Sequence, residues 1–142
     1  MAFPRNPSTG CSVFSILQPR LVTLTRKYDD ITPILRELHW LPVAFRILYK
    51  INLQTFESLN EMAPEYLKKK IKKKKDIGLR SDKKNKLFVP KSNMKNYGDR
   101  AFSVAGPILW NDLPDHLRLC TNPDRFKRDL KTVLFRRAFN LN

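Results

Sequence analysis

Seven of eight consecutive positions are lysine in the run KKKIKKKK, Lys68 to Lys75. Ammonium groups at that density neutralise phosphates, which releases counterions and gives strong, salt-sensitive, sequence-blind affinity for RNA or DNA. From Lys68 to Lys95 thirteen bases face only Asp76 and Asp82, so this stretch holds +11 of the chain's formal +15. The candidate phosphate contacts are Lys68, Lys69, Lys70, Lys72, Lys73, Lys74, Lys75, Arg80, Lys83, Lys84 and Lys86. No aromatic residue interleaves the lysine run, so base stacking is not indicated and specificity should be poor. The same run fits a nuclear localisation signal, or a solvated charge run with no selected role.

The other chemistry-bearing residues offer less. Tyr28-Asp29-Asp30 resembles the Tyr-x-Asp-Asp box of reverse transcriptases, where paired aspartates hold catalytic magnesium. Two-metal chemistry needs acids fixed around an ion pair at about 3.5–4 Å on a supporting sheet. Here the intervening residue is missing, no upstream strand pattern exists, and Thr32-Pro33 starts a helix at once. Asp29 or Asp30 therefore reads as a helix N-terminal acid. His39, before Trp40 and Leu41, reads as a partly buried, hydrogen-bonded side chain. His116 lies near Asp112 and Asp115, but no nucleophile with a positioned base accompanies it. Cys11 and Cys120 make no disulfide framework and lack metal-ligand spacing with two histidines, so they read as reduced intracellular thiols. Four glycines, none clustered, form no phosphate-cradling loop. No catalytic residue, metal or cofactor is expected.

The elements that would carry these residues are mainly α. The chain of 142 residues is about one domain, 42% apolar. It has no run near the ~18 apolar residues of a membrane span. Thr32-Pro33 reads as a helix start with a hydroxyl cap. Val43 to Asn60 has the clearest helical period, with Phe45, Leu48, Tyr49, Asn52, Phe56 and Leu59 on one face. Arg46, Lys50, Gln54 and Glu57 fall on the opposite face. A third helix is expected to start within Ala63 to Ile71. Leu87 to Val89 reads as an edge strand stopped by Pro90. Ala101 to Trp110 reads as a helix disturbed at Gly106-Pro107, with Phe102, Leu109 and Trp110 in the core. Thr121-Asn122-Pro123-Asp124 caps a final helix with Phe126, Leu130, Val133 and Leu134 inward. The expected whole is a small helical domain with a disordered basic insertion and at most one short strand or hairpin. Its segments are a disordered leader (1–20), an N-terminal helical part (21–67), a basic flexible insertion (68–96) and a C-terminal helical part (97–142).

Three blocks carry a family resemblance: YGDRAFSVAGPILWNDLP (97–114), RKYDDITPILRELHWL (26–41) and FKRDLKTVLF (126–135). Together they resemble the extreme C-terminal part of non-LTR retrotransposon polyproteins, closest to the jockey-like and chicken-repeat-like LINEs. The likeness runs in consistent order from about Leu21 to Phe139. It implies a segment downstream of the reverse-transcriptase domain, non-catalytic in itself, that holds template RNA or target DNA beside the polymerase. The polyprotein itself is a possible partner. The lysine run departs from the family, whose tails usually have a Ser-, Pro- and Arg-rich loop there, and this weakens any role transferred to it.

The first 28 residues contain no acid, several hydroxyls and four bases, a composition compatible with a mitochondrial presequence. A Pro-punctuated disordered leader is the favoured reading, with nuclear or cytoplasmic localisation. The competing functional readings are a free-standing small basic RNA-binding or protein-interaction module, and a translated relic with no present function.

Overall fold

A computed structural model describes residues 24, 26, 29–74, 85–91 and 98–141. Six helices run through them: α1 (Thr32–Glu37), α2 (Val43–Leu59), α3 (Glu65–Lys68), α4 (Phe102–Asn111), α5 (Asp115–Arg118) and α6 (Pro123–Ala138). The fold is mainly helical. Among the described residues the only β pairing is an isolated antiparallel bridge between Lys73 and Leu87. None of the described helices is long and apolar enough to cross a membrane. The chain divides into two units, one of Met1–Ile47 with Val133–Asn142, the other of Leu48–Thr132.

The larger unit is built on aromatic packing. Phe56 of α2 and Phe126 of α6 are wholly buried and stacked, with centroids 4.2 Å apart. Trp110 of α4 tilts against Phe126 at 5.8 Å. Leu117 of α5 and Leu130 of α6 are also fully buried. Aromatic pairs in this geometry contribute about 0.5–1.5 kcal/mol beyond their area.

The expected face of α2 is present at Asn52 and Phe56, while Lys50 and Gln54 are exposed. Thr55 and Ser58 are buried as well. Asn52 Nδ2, Thr55 Oγ1 and Ser58 Oγ donate to the carbonyls four residues earlier at 3.0, 2.8 and 2.7 Å, while the buried Asn52 Oδ1 has no partner among the described residues. Small residues that bond their own helix can sit where a neighbouring backbone comes close.

That neighbour is α4. A Cβ on Gly106 would stand 3.0 Å from Thr55 Oγ1 and 3.2 Å from Ile71 Cδ1, so only glycine fits the contact without displacement. The helix expected to be disturbed at Gly106-Pro107 runs on through both residues to Asn111. Pro107 removes the amide that would bond Ser103, and its buried ring packs instead. The buried stripe of α4 is Val104, Gly106, Pro107 and Trp110. Phe102 and Leu109, expected in the core, are half-buried on the stripe's flanks.

The helix termini separate into anticipated and unanticipated caps. Asn122 Oδ1 accepts from the amides of Asp124 (2.9 Å) and Arg125 (3.1 Å), ahead of Pro123 at the first position of α6. Its buried face carries Phe126, Leu130 and Leu134. α3 is a single turn, Glu65–Lys68, started by Pro64.

In the smaller unit Leu35, Leu41 and Leu134 are buried. At α1 the hydroxyl of Thr32 does not cap. Asp30 Oδ1 instead accepts from the Thr32 amide (3.0 Å) and hydroxyl (2.8 Å). His39 is exposed rather than partly buried. It sits just past α1 with φ 52°, a left-handed conformation that swings its ring out of the helical path. There Nδ1 donates to the Glu37 carbonyl (3.1 Å) and the ring stacks on Phe135 at 5.5 Å.

Candidate nucleic-acid interface

The described part of the lysine run, Lys68 to Lys74, and the segment 85–91 lie on either side of residues 75–84. Lys68 ends α3, and Lys69 follows it with an exposed ion pair to Glu65 at 3.3 Å. Lys70 is exposed. The chain then passes buried Ile71 and pairs with the returning segment. Lys74 N donates to Lys86 O (3.2 Å), and Phe88 N donates to Lys72 O (2.9 Å). Lys75, Arg80, Lys83 and Lys84 lie outside the described residues.

This hydrogen-bond pattern makes Lys73 and Leu87 a non-hydrogen-bonded pair. The N–H and C=O of Leu87 therefore point away from the Lys73 strand and need partners elsewhere. Both are met by one side chain. The carboxamide of Asn111, last residue of α4, accepts from Leu87 N (2.8 Å) through Oδ1 and donates to Leu87 O (2.9 Å) through Nδ2. It does what a third strand would do.

The neighbouring residues fasten the same segment. Trp110 Nε1 donates to Asn85 O at 2.9 Å, and Asn85 Nδ2 donates to Arg118 O at 3.2 Å. Asn85 adopts φ 48°, a conformation asparagine tolerates better than most residues. Leu87 inserts its side chain into the unit's interior with 3% exposure. The buried Arg118 is ion-paired to the Asp115 carboxylate, and its Nη1 donates to Asn111 O at 3.4 Å. Its Nε has no partner among the described residues.

Register then decides which side chains share a face. Cross-strand neighbours project to the same side, so Lys72 lies with Phe88 and Lys74 with Lys86, opposite to Leu87. Because Leu87 faces inward, the other face looks outward, and all four of its residues are exposed. Lys73 belongs to the Leu87 side yet is exposed, its long stem reaching solvent. Among the described residues, no carboxylate forms an ion pair with Lys70, Lys72, Lys73, Lys74 or Lys86.

Thus the structure brings Lys72, Lys74 and Lys86 together, and leaves Lys68 to Lys70 on the turn of α3. No aromatic interleaves the run itself, but Phe88, 52% exposed, stands opposite Lys72 across the pair. Sixteen residues separate the two, so linear spacing does not reveal the neighbourhood. Nearer signals existed in the alternating Lys86-Leu87-Phe88 and in the Asn111 and Trp110 side chains, but nothing in their spacing fixes the partner.

The Tyr28-Asp29-Asp30 sequence has a different local chemistry. Hydrogen bonds from the Thr32 amide and then the Thr32 hydroxyl hold the Asp30 carboxyl below the usual aspartate range. Asp29 Oδ2 accepts from the Arg26 amide at 3.2 Å. Both aspartates are exposed and engaged with the local backbone. No group of three or more His, Cys, Asp or Glu side chains among the described residues could hold a metal ion.

No protein-family model, curated protein or solved structure matches the chain.

Proposed function

We propose that this chain is a non-catalytic nucleic-acid-binding segment, the post-polymerase C-terminal part of a LINE-type retrotransposon polyprotein. Its role is to hold RNA or DNA by phosphate contacts in support of reverse transcription. The observation that carries the binding reading is the outward face of Lys72, Lys74 and Lys86, three ammoniums on a short pair fixed from behind by Asn111, Trp110 and Leu87. Fixed cations lose less freedom on binding than the same charges on an unpaired chain. The non-catalytic reading is supported by Asp30, whose oxygen serves the Thr32 amide and hydroxyl. Ancestry rests on the three resembling blocks, which follow one another in the family's order.

Salt titration of binding tests the phosphate contacts. Changing Lys72, Lys74 and Lys86 together to Gln should flatten the slope of log affinity against log salt by about 2 on single-stranded RNA. An unchanged slope removes the reading. Decayed or intact reverse-transcriptase coding sequence immediately upstream would support the proposed origin, and a conventional multi-exon gene there would defeat it.

A further inference from the structure

The outward face of the pair contains one residue that phosphate binding does not explain. Phe88 leaves half its surface in water beside three ammoniums, although its neighbour Leu87 is almost wholly buried. Nothing among the described residues stacks on its ring. Along one strand Lys86 lies two residues away, about 7 Å, on the same side. Across the pair Lys72 stands opposite, at about 5 Å between Cβ atoms, with Lys74 diagonal to the ring.

We propose that this face binds single-stranded nucleic acid, with one base stacked on Phe88 and the flanking phosphates held by Lys72, Lys74 and Lys86. The inference rests on the phosphate-contact reading above and specifies its substrate class. A flat π face ringed by cations matches a strand whose bases can turn outward while its phosphates track the charge. In a duplex the base faces are covered by their neighbours, so such a ring would find no stacking surface. An apolar protein partner fits less well, since three charges would have to be desolvated around a single ring.

The experiment uses the full chain with two probes, oligouridine and a blunt RNA duplex of the same length. Phe88→Ala should weaken oligouridine binding roughly 10-fold, leave duplex binding unchanged, and leave the salt slope of both unchanged, because no phosphate contact is lost. Phe88→Leu, which keeps apolar bulk without a π face, should behave like the alanine variant, and Phe88→Trp should restore affinity. Equal losses on both probes, or rescue by leucine, would show that Phe88 acts only by packing and overturn the proposal. If the triple Lys→Gln variant flattens the slope while Phe88→Ala changes nothing, stacking fails and phosphate contact survives. If neither variant changes binding, both fail.

Discussion

Two parts of the larger unit are held by opposite kinds of bond. In the helical core, Phe56, Trp110, Leu117, Phe126 and Leu130 meet side chain to side chain. In the Lys72–Lys74 and Lys86–Phe88 pair, Asn111 and Trp110 reach the main chain of Asn85 and Leu87. Main-chain groups are the same whatever the residue type. The pair can therefore change composition, Leu87 excepted, and keep its seat, whereas the core tolerates little change in volume. A surface that carries charge is thus fixed to a unit whose stability comes largely from elsewhere.

Phe126→Ala gives the largest expected effect, a loss of about 4 kcal/mol, because it opens a cavity under both Phe56 and Trp110. In a chain of this size that is a large share of total stability. Urea unfolding should show a midpoint far below that of the parent. A shift under about 1 kcal/mol would mean that the aromatic stack is not the centre of the unit.

Asn111 is the residue that separates the two regions. Its truncation to alanine removes two hydrogen bonds to Leu87, part-buried, and should cost about 2 kcal/mol. Asn111→Asp keeps an acceptor for Leu87 N–H but sets a carboxylate against Leu87 O, so it should be no better than alanine. In both variants amide exchange at Leu87 and Phe88 should speed up while Phe126 and Leu130 in α6 stay protected. If protection of α6 falls equally, the pair and the core unfold as one and are not separate regions.

The division between these two regions also marks what can be read in the sequence. The periods of Val43 to Asn60 and Pro123 to Ala138 announce α2 and α6, and Asn122-Pro123 announces a cap, because those signals repeat within one or two turns. Helix α4 is legible in extent but less so in detail. Its buried stripe depends on Thr55 lying against Gly106, a contact between residues fifty-one positions apart. The lysines are visible from charge alone, but not their arrangement. That arrangement follows from Leu87 finding Asn111 and from Lys72 finding Phe88, pairings that composition and periodicity do not encode. The start of α1 differs from its sequence expectation for a smaller reason: Asp30 and Thr32 can each supply an oxygen, and with Thr32 already inside the first turn it is Asp30 that meets the Thr32 amide.

Asp30 supplies the weakest and most local test of main-chain capture. Like Asn111 it satisfies a backbone amide with a side-chain oxygen, but it does so in water. The hydrogen bonds favour its charged form, so the folded-state pKa lies below the unfolded value of about 3.9. A lowered carboxyl pKa contributes stability above the unfolded pKa, and that contribution disappears as pH falls through the folded one. An NMR titration should place the Asp30 midpoint below that of an ordinary aspartate. Thr32→Ala removes only the hydroxyl, the smaller of the two leading causes, and should raise the midpoint part of the way. Complete return to the ordinary value would show that the hydroxyl, not the amide, does the holding. Global stability should hardly change in that variant. The main-chain bonds made by Asn111 are part-buried, so losing them should matter to the segment they hold where losing an exposed one at Asp30 does not.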